Sequence, residues 1–189
     1  MKRKITFVCM AAALVGAFAL GRAGAQEGTA NIMDPKAWEA LAAPGPEHAK
    51  MLKSVGTWNC ECKCFEPGKE PQVTTSKVVR TAVLGRYVRE EINGEMNGKP
   101  FAGIGYFAYN NATKTYECSW LDNGGTGIMF MTGTENELKG VFYGPGGVPV
   151  KCRAVTKHIS DDQATMEMYN DFGMGGEMKC MEMTYTRVK

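Results

Sequence analysis

The sequence predicts an all-β fold: an antiparallel β-barrel of about ten strands that follows a short N-terminal helical segment. From Thr57 onward, short segments rich in β-branched and aromatic residues are separated by turn residues, with no helical periodicity between them. The segment GTW (56–58) enters the first strand directly after a helix, and YTR (185–187) ends the last strand. This pair favours closure of the barrel, because Arg187 on the last strand can pack its cation over the ring of Trp58 on the first.

The first 25 residues are expected to be a cleaved secretory signal peptide. Basic Lys2, Arg3 and Lys4 precede an apolar stretch, and the small residues at 23–25 match a cleavage site. The apolar stretch is short for a membrane anchor. Cleavage there would leave 164 of the 189 residues, the length of one domain. We therefore expect an exported, soluble protein, either periplasmic or secreted.

The charge balance argues against a nucleic-acid partner. The chain has 22 basic and 20 acidic residues; the predicted leader holds four of the basic ones and no acid, which leaves 18 against 20 and a net charge of −2. No basic run remains outside the leader. No second long apolar stretch exists, so no membrane span is expected after signal cleavage. The sequence leaves the oligomeric state open.

Residues 26–43 are predicted to form a linker and a short helix, and residues 44–189 the barrel domain. Asp34-Pro35 is a favourable helix start, with Asp as the N-cap and Pro at the first helical position. Pro46 begins a second helix. Turn residues then separate ten predicted strands, near residues 57–65, 73–83, 86–95, 101–109, 115–122, 127–134, 137–143, 150–159, 163–170 and 177–187.

Segments spread from Pro44 to Arg187 carry a resemblance to a known family. They are, in order, PGPEH, GTW, LGRY, GEMNGKPFAGIGYFAYNNATKTY, SWLDNGGTGI, MEMYND and EMKCMEMTYTR. On these segments the chain resembles the bacterial domain-of-unknown-function family 1579. The resemblance implies a lipocalin-like (calycin-like) barrel with no established activity. It also implies aliphatic residues at three positions where this sequence departs from the family, Cys60, Cys62 and Cys64.

These three cysteines alternate along the first strand, on the same face as Trp58. Positions i and i+4 of a strand lie about 13 Å apart, too far for all three thiols to bind one local metal ion. Positions i and i+2 lie about 6.5–7 Å apart at Cα, the outer limit for a disulfide. We therefore favour small buried core residues over disulfides or a metal site. The possible disulfide pool is Cys60, Cys62, Cys64, Cys118, Cys152 and Cys180.

The leading functional hypothesis is a binding protein that holds a small apolar or amphipathic molecule inside the barrel. Three strands carry Met-x-Met, and each pair faces one side of its strand, where flexible thioethers can line an adaptable cavity. Asp122 would serve as a polar anchor. The facing of the last strand is left open, because both alternating sets of its residues suit an interior. The candidate ligand-binding residues are Trp58, Tyr106, Trp120, Asp122, Met129, Met131, Met166 and Met168.

Two alternatives to ligand binding remain. Thioether and thiolate ligands would select Cu(I), which makes soft-metal (copper) binding through Met and Cys the second hypothesis. The third is an uncharacterised enzyme that uses Asp122 or Glu182. No catalytic residue and no cofactor is assigned, because no triad order, nucleophile elbow or phosphate loop is recognisable. The chain also has only two histidines for acid–base or zinc chemistry.

Overall fold

A computed structural model describes residues 32–96 and 98–189. The predicted signal peptide, residues 1–25, lies outside the described residues, as does most of the predicted linker. The described chain forms two short helices followed by ten antiparallel strands that close into one barrel, so the predicted all-β barrel is confirmed. No helix among the described residues is long and apolar enough to cross a membrane.

Each strand pairs with its neighbours in chain order, and the last strand closes the barrel against the first. The ten predicted segments each correspond to one observed strand. The elements are α1 (Pro35–Ala42), α2 (Pro46–Leu52), β1 (Gly56–Cys64), β2 (Gln72–Val83), β3 (Tyr87–Met96), β4 (Lys99–Asn110), β5 (Thr115–Asp122), β6 (Met129–Gly133), β7 (Glu137–Tyr143), β8 (Pro149–Ser160), β9 (Gln163–Asp171) and β10 (Met178–Arg187).

Both helices begin where the sequence predicts. The Asp34 carboxylate accepts a hydrogen bond from the backbone N–H of Lys36 at 3.0 Å, which satisfies one of the free donors of the first turn. In α2, the backbone N–H of Gly45 donates to Nδ1 of His48 at 2.9 Å. Pro46 occupies the first position of this helix, where its missing N–H costs nothing.

The two helices lie at the same end of the barrel, which we call the closed end. The buried His48 ring of α2 packs edge-on against Tyr109, with 5.7 Å between ring centroids. The Tyr116 hydroxyl donates to the Glu47 carboxylate. The backbone carbonyls of Ala42 and Ala43, at the C-terminal end of α1, accept hydrogen bonds from Arg86 and Asn111 in the loops of this end. The opposite end, formed by loops 65–71, 123–128, 144–148 and 172–177 and by the turn at Gly98, is called the open end.

Strand register shows which side chains face the interior. Trp58 of β1 lies opposite Val78 of β2, and Val78 lies opposite Ile92 of β3; all three are buried. On β10, Met183 and Tyr185 are buried on the inner face. A register shift between Lys179 and Met181 changes the alternation near the start of β10. The question of the last strand's facing is therefore answered in favour of its methionines.

The interior side chains form two clusters. The first core cluster lines β1, β2, β3, β9 and β10, and the second lies across β5, β6 and β8. The first consists of Trp58, Cys60, Cys62, Val78, Ile92, Ala164, Met183 and Tyr185. The second consists of Cys118, Met131, Cys152 and Ala154.

Arg187 joins the first strand, the last strand and the end of α2. It lies opposite Trp58 across the β1–β10 ladder, with its guanidinium carbon 4.1 Å from the centroid of the Trp58 ring. Its nitrogens donate to the backbone carbonyls of Lys53 (2.8 Å), Val55 (2.8 Å) and Asp161 (3.0 Å). The planar guanidinium therefore satisfies carbonyls that would otherwise lack partners where the barrel closes.

We expect Arg187→Ala to lower the free energy of unfolding by about 2–3 kcal/mol, because it removes both the cation–π contact and charged hydrogen bonds. Arg187→Lys should recover only part of this loss, since an ammonium cannot reach three carbonyls in a plane. Chemical denaturation followed by tryptophan fluorescence measures both values. Lys189→Ala, at an exposed neighbouring cation, is the control and should change stability by less than about 0.5 kcal/mol. Equal losses for Arg187→Ala and Lys189→Ala would contradict this role.

Candidate functional site

The structure places most of the predicted ligand-binding residues on the inner face of the barrel. Trp58 and Met131 are buried in the two core clusters. Asp122 shares a strand face with Trp120 and accepts a hydrogen bond from its indole N–H at 2.8 Å. Four further inner-face residues pack against the clusters and are only partly buried: Trp120, Met129, Met166 and Met168.

Tyr106 was predicted to line the interior, but the structure places it on the outer face, where 43% of its surface is exposed. The two inward positions of β4 that precede it are Gly103 and Gly105, both buried. The Trp120 indole occupies the space beside them: a Cβ on Gly103 would lie 2.3 Å from Trp120 Cζ2. The glycines thus make room for one large ring inside the barrel, and alternation turns Tyr106 outward.

Burial of the inner-face side chains is incomplete toward the open end. We call the region that these side chains surround the lumen. Several of its side chains are only partly buried. They are Cys64, Phe101, Trp120, Met129, Phe142, Met166, Met168 and Met181. These side chains line the lumen with aromatic rings and thioethers, which suit an apolar guest.

Apolar side chains also surround the entrance to the lumen. Ile128 is 56% exposed, Val148 54% and Met174 75%, and each lies in a different loop of the open end. Phe172 is exposed in the same loop as Met174. Exposed apolar residues grouped around an opening are typical of a binding site for apolar molecules.

Asn170 is the polar residue of this lumen that the sequence did not single out. It lies opposite Cys152 on β8 and is 9% exposed. Its side-chain oxygen is buried, and within the described part of the chain no donor lies in hydrogen-bonding range of it. An unsatisfied buried acceptor costs about 1–3 kcal/mol. The alternation of β9 places Asn170 on the face of Met166 and Met168, so the sequence pattern contained this signal.

The two acids considered for catalysis have structural partners. Asp122 accepts hydrogen bonds on both oxygens, from the Trp120 indole N–H and from the backbone N–H of Gly124, each at 2.8 Å. Glu182 lies on the outer face, where hydrogen bonding from the Lys179 ammonium at 2.9 Å holds the pKa of its carboxyl below the usual range. Asp122 therefore orients an indole, and Glu182 belongs to a surface ion-pair network.

A buried ion pair, absent from the sequence predictions, lies within the first core cluster. Arg80 of β2 contacts Glu90 of β3 at 2.5 Å, and Glu90 is 3% exposed. The Arg80 guanidinium also lies over the rings of Tyr185 (4.8 Å) and Trp58 (5.3 Å). Burial alone would lower the pKa of Arg80, but the adjacent carboxylate raises it. Glu90 lies two residues from each of the buried Val88 and Ile92 along β3. All three therefore share the inner face, which marks Glu90 as an inner-face acid.

All six cysteines of the described chain are free thiols. Burial raises the pKa of Cys60 and of Cys118 to about 12 and that of Cys180 to about 11. Cys62 and Cys64 lie with their sulfurs 3.7 Å apart, and Cys152 Sγ lies 3.6 Å from Met129 Sδ. No group of three or more His, Cys, Asp or Glu in residues 32–96 and 98–189 is arranged to hold a metal ion.

Two surface concavities lie outside the lumen. A groove of about 620 Å³ crosses the outer wall formed by β10, β1, β2 and β3. Its side chains are polar, with Thr75, Lys77, Asn93 and Thr184 among them. A smaller concavity of about 250 Å³ lies beside Gln72 and Glu95. Neither groove has the apolar lining that the lumen has.

A closed ten-stranded antiparallel barrel with helices at one end and an apolar inner face defines a lipocalin-like barrel protein. The family described as "Protein of unknown function (DUF1579)" matches residues 43–187, so the chain belongs to this family and the resemblance seen in the sequence is confirmed. No protein with a curated description matches the sequence.

Two solved structures show the same fold. The chain is similar to Rv2717c from M. tuberculosis, with 14% identity, coverage of 78% of this chain and 100% of that chain, and a TM-score of 0.54. It is also similar to the S-type phycobiliprotein lyase CPES from Guillardia theta, with 11% identity, coverage of 75% and 92%, and a TM-score of 0.50. At these identities the likeness concerns the fold alone.

The Glu90–Arg80 pair yields a stability prediction. We expect Glu90→Gln to lower the free energy of unfolding by about 3–5 kcal/mol, because it leaves a buried guanidinium without a counter-charge. Glu91→Gln, at the partly exposed Arg89–Glu91 pair of the outer face, should cost less than about 1 kcal/mol. Replacing both partners, with Arg80→Met and Glu90→Leu, should recover most of the loss. Urea denaturation measures all four proteins, and a small loss for Glu90→Gln would refute the uncompensated charge.

The buried thiols predict a stability loss at alkaline pH. The pKa of Cys60 is raised in the folded state, so its stabilising effect is complete below the unfolded pKa, near 9, and is lost as the pH rises toward 12. Each such thiol lowers the free energy of unfolding by about 1.4 kcal/mol per pH unit over this range. Denaturation at pH 8, 9, 10 and 11 should show a shallower decline for Cys60→Ala than for the wild type. Parallel curves would contradict the prediction.

Proposed function

We propose that this protein binds a small amphipathic molecule in the lumen at the open end of the barrel. The apolar part of the ligand lies against the thioethers and rings around the second core cluster. A hydroxyl or amine group of the ligand donates a hydrogen bond to the side-chain oxygen of Asn170. The observation that carries this proposal is the buried, unsatisfied acceptor of Asn170 in an otherwise apolar lumen.

The energetics favour a ligand with a donor group. A donor that enters the lumen removes the cost of the unsatisfied acceptor, about 1–3 kcal/mol, in addition to the gain from burying its apolar part. The methionines around Asn170 have flexible side chains that adapt to different shapes. We therefore infer that the polar group of the ligand determines selectivity, while the shape of its apolar part is tolerated more broadly.

The enzyme hypothesis lacks comparable support. Both oxygens of Asp122 already accept hydrogen bonds, and Glu182 faces outward. Glu90, a further inner-face acid, is buried against Arg80. Export of the chain to the periplasm or the exterior stays a prediction from the leader sequence.

A matched pair of probes tests the proposal: 1-octanol, which carries a donor, and methyl heptyl ether, which has a similar length but only an acceptor. We expect the wild type to bind the alcohol about 5–10-fold more tightly, corresponding to about 1–1.4 kcal/mol for one hydrogen bond. Isothermal titration calorimetry measures both affinities. Asn170→Leu should abolish the preference for the alcohol while retaining affinity for the ether.

The control is Asn93→Leu, the same substitution on the outer wall of the barrel, which should leave both affinities unchanged. Phe101→Ala should weaken both probes through lost apolar contact, whereas Tyr106→Ala on the outer face should weaken neither. If neither probe binds, or if Asn93→Leu and Asn170→Leu act alike, the lumen is not the binding site.

A further inference from the structure

The sulfur atoms of Cys62 and Cys64 form a close pair near the open end. They lie 3.7 Å apart on the inner face of β1. Cross-strand pairing places Met183 of β10 opposite Cys62 and Met181 opposite Cys64. Cys64 and Met181 are partly exposed, so the pair can be reached from the lumen. We call the two thiols, with Met181 on the adjacent strand, the sulfur pair site.

We propose that Cys62 and Cys64, assisted by the thioether of Met181, bind one Cu(I) ion. Two thiolates that share an ion at about 2.3 Å have sulfurs about 4.0 Å apart at the angle near 120° of a three-coordinate site. The two thiols stand 3.7 Å apart, close to this separation. Thiolate and thioether ligands select soft Cu(I) over hard cations. The site therefore needs only small side-chain adjustments to receive the ion.

The ligand set disfavours zinc. A structural zinc ion takes four N, S or O ligands in a tetrahedral arrangement. No group of three or more His, Cys, Asp or Glu side chains in the described ranges is arranged for this. Thioethers are soft ligands, and Cu(I) accepts a low coordination number, so two thiolates and one thioether suffice for it.

A third thiol lies nearby but has a different partner. Cys180 follows Lys179, where the register of β10 shifts, and its Sγ donates to the backbone carbonyl of Met168 at 3.3 Å. The Cys180 thiol therefore has a hydrogen-bond partner outside the sulfur pair. We therefore assign Cys180 no part in the site, and its substitution serves as a control close to it.

Proton release follows from the chemistry. Each Cu(I) ion bound by two thiols forms two Cu–S bonds and displaces two protons to solvent. Burial raises the pKa of Cys62, which strengthens competition by protons at neutral pH. The apparent affinity should therefore rise with pH, by up to about 100-fold per unit when two protons leave.

The proposal does not depend on the ligand proposed for the lumen, because the two use different residues.

The test is a titration of the full reduced chain with Cu(I), without oxygen, against a chromophoric Cu(I) chelator. We expect one ion per chain. Cys64→Ser should lower the affinity at least about 100-fold, because losing a ligand should cost no less than the upper limit for losing a residue that only supports a ligand. Met181→Leu should lower it about 10-fold. Cys180→Ser and Cys118→Ser should bind as the wild type does. Repetition at pH 6 and pH 7 should show the rise in affinity with pH.

Circular dichroism confirms that each variant is folded before its affinity is compared. A second measurement needs no variant: bound Cu(I) should slow alkylation of Cys64 in the wild type and leave the rate at Cys180 unchanged, as read by peptide mass spectrometry. Three results would overturn the proposal. These are no stoichiometric binding, unchanged affinity in Cys64→Ser, or loss of binding in Cys152→Ser alone, which would assign the ion to the Cys152–Met129 contact.

Discussion

The contact between Trp58 and two arginines is the constraint on which the barrel depends. Arg187 lies 4.1 Å from the centroid of this ring and Arg80 lies 5.3 Å from it. One cation comes from the last strand and the other from the second, so the indole on the first strand connects all three. Closure through β1 and β10 also removes the free strand edges that an open ten-stranded sheet would expose. The buried carboxylate of Glu90 then follows as the counter-charge that Arg80 needs in this apolar setting.

The same arrangement divides the interior into two regions with different properties. Around the closed end, helix α2 and the Trp58 contacts exclude water, and Val78 and Val88 are at most 1% exposed. Toward the open end, the lining changes to methionines and large rings that are only partly buried. A tightly packed core and a less completely buried inner face thus coexist in one barrel. The unsatisfied Asn170 is tolerated because the closed-end region supplies the stability.

The sequence predicted the strands, the closure residues and the inner facing of most methionines, because these depend on local alternation and turn chemistry. It missed Tyr106, since FAGIGYFAY offers an aromatic residue to either face and only the bulk of Trp120 across the sheet decides between them. It also missed the Arg80–Glu90 pair. Alternation marks each as an inner-face residue, but their pairing depends on the register of β2 against β3. Asn170 was also overlooked. Alternation gives its facing, but an unsatisfied acceptor is recognised only from its three-dimensional neighbours.

The first strand shows how position along the barrel sets the chemistry of one residue type. Cys60, Cys62 and Cys64 share a face, yet they run from the packed interior toward the open end. Cys60 is 2% exposed and its pKa is raised to about 12 by burial, so it is an inert core residue. Cys64 is partly exposed and lies opposite a thioether. Strand geometry excludes a three-thiol local site, as the spacing predicts, but it allows adjacent inward thiols to approach within 3.7 Å. The motif is therefore structural at one end and, in the copper proposal, supplies metal ligands at the other.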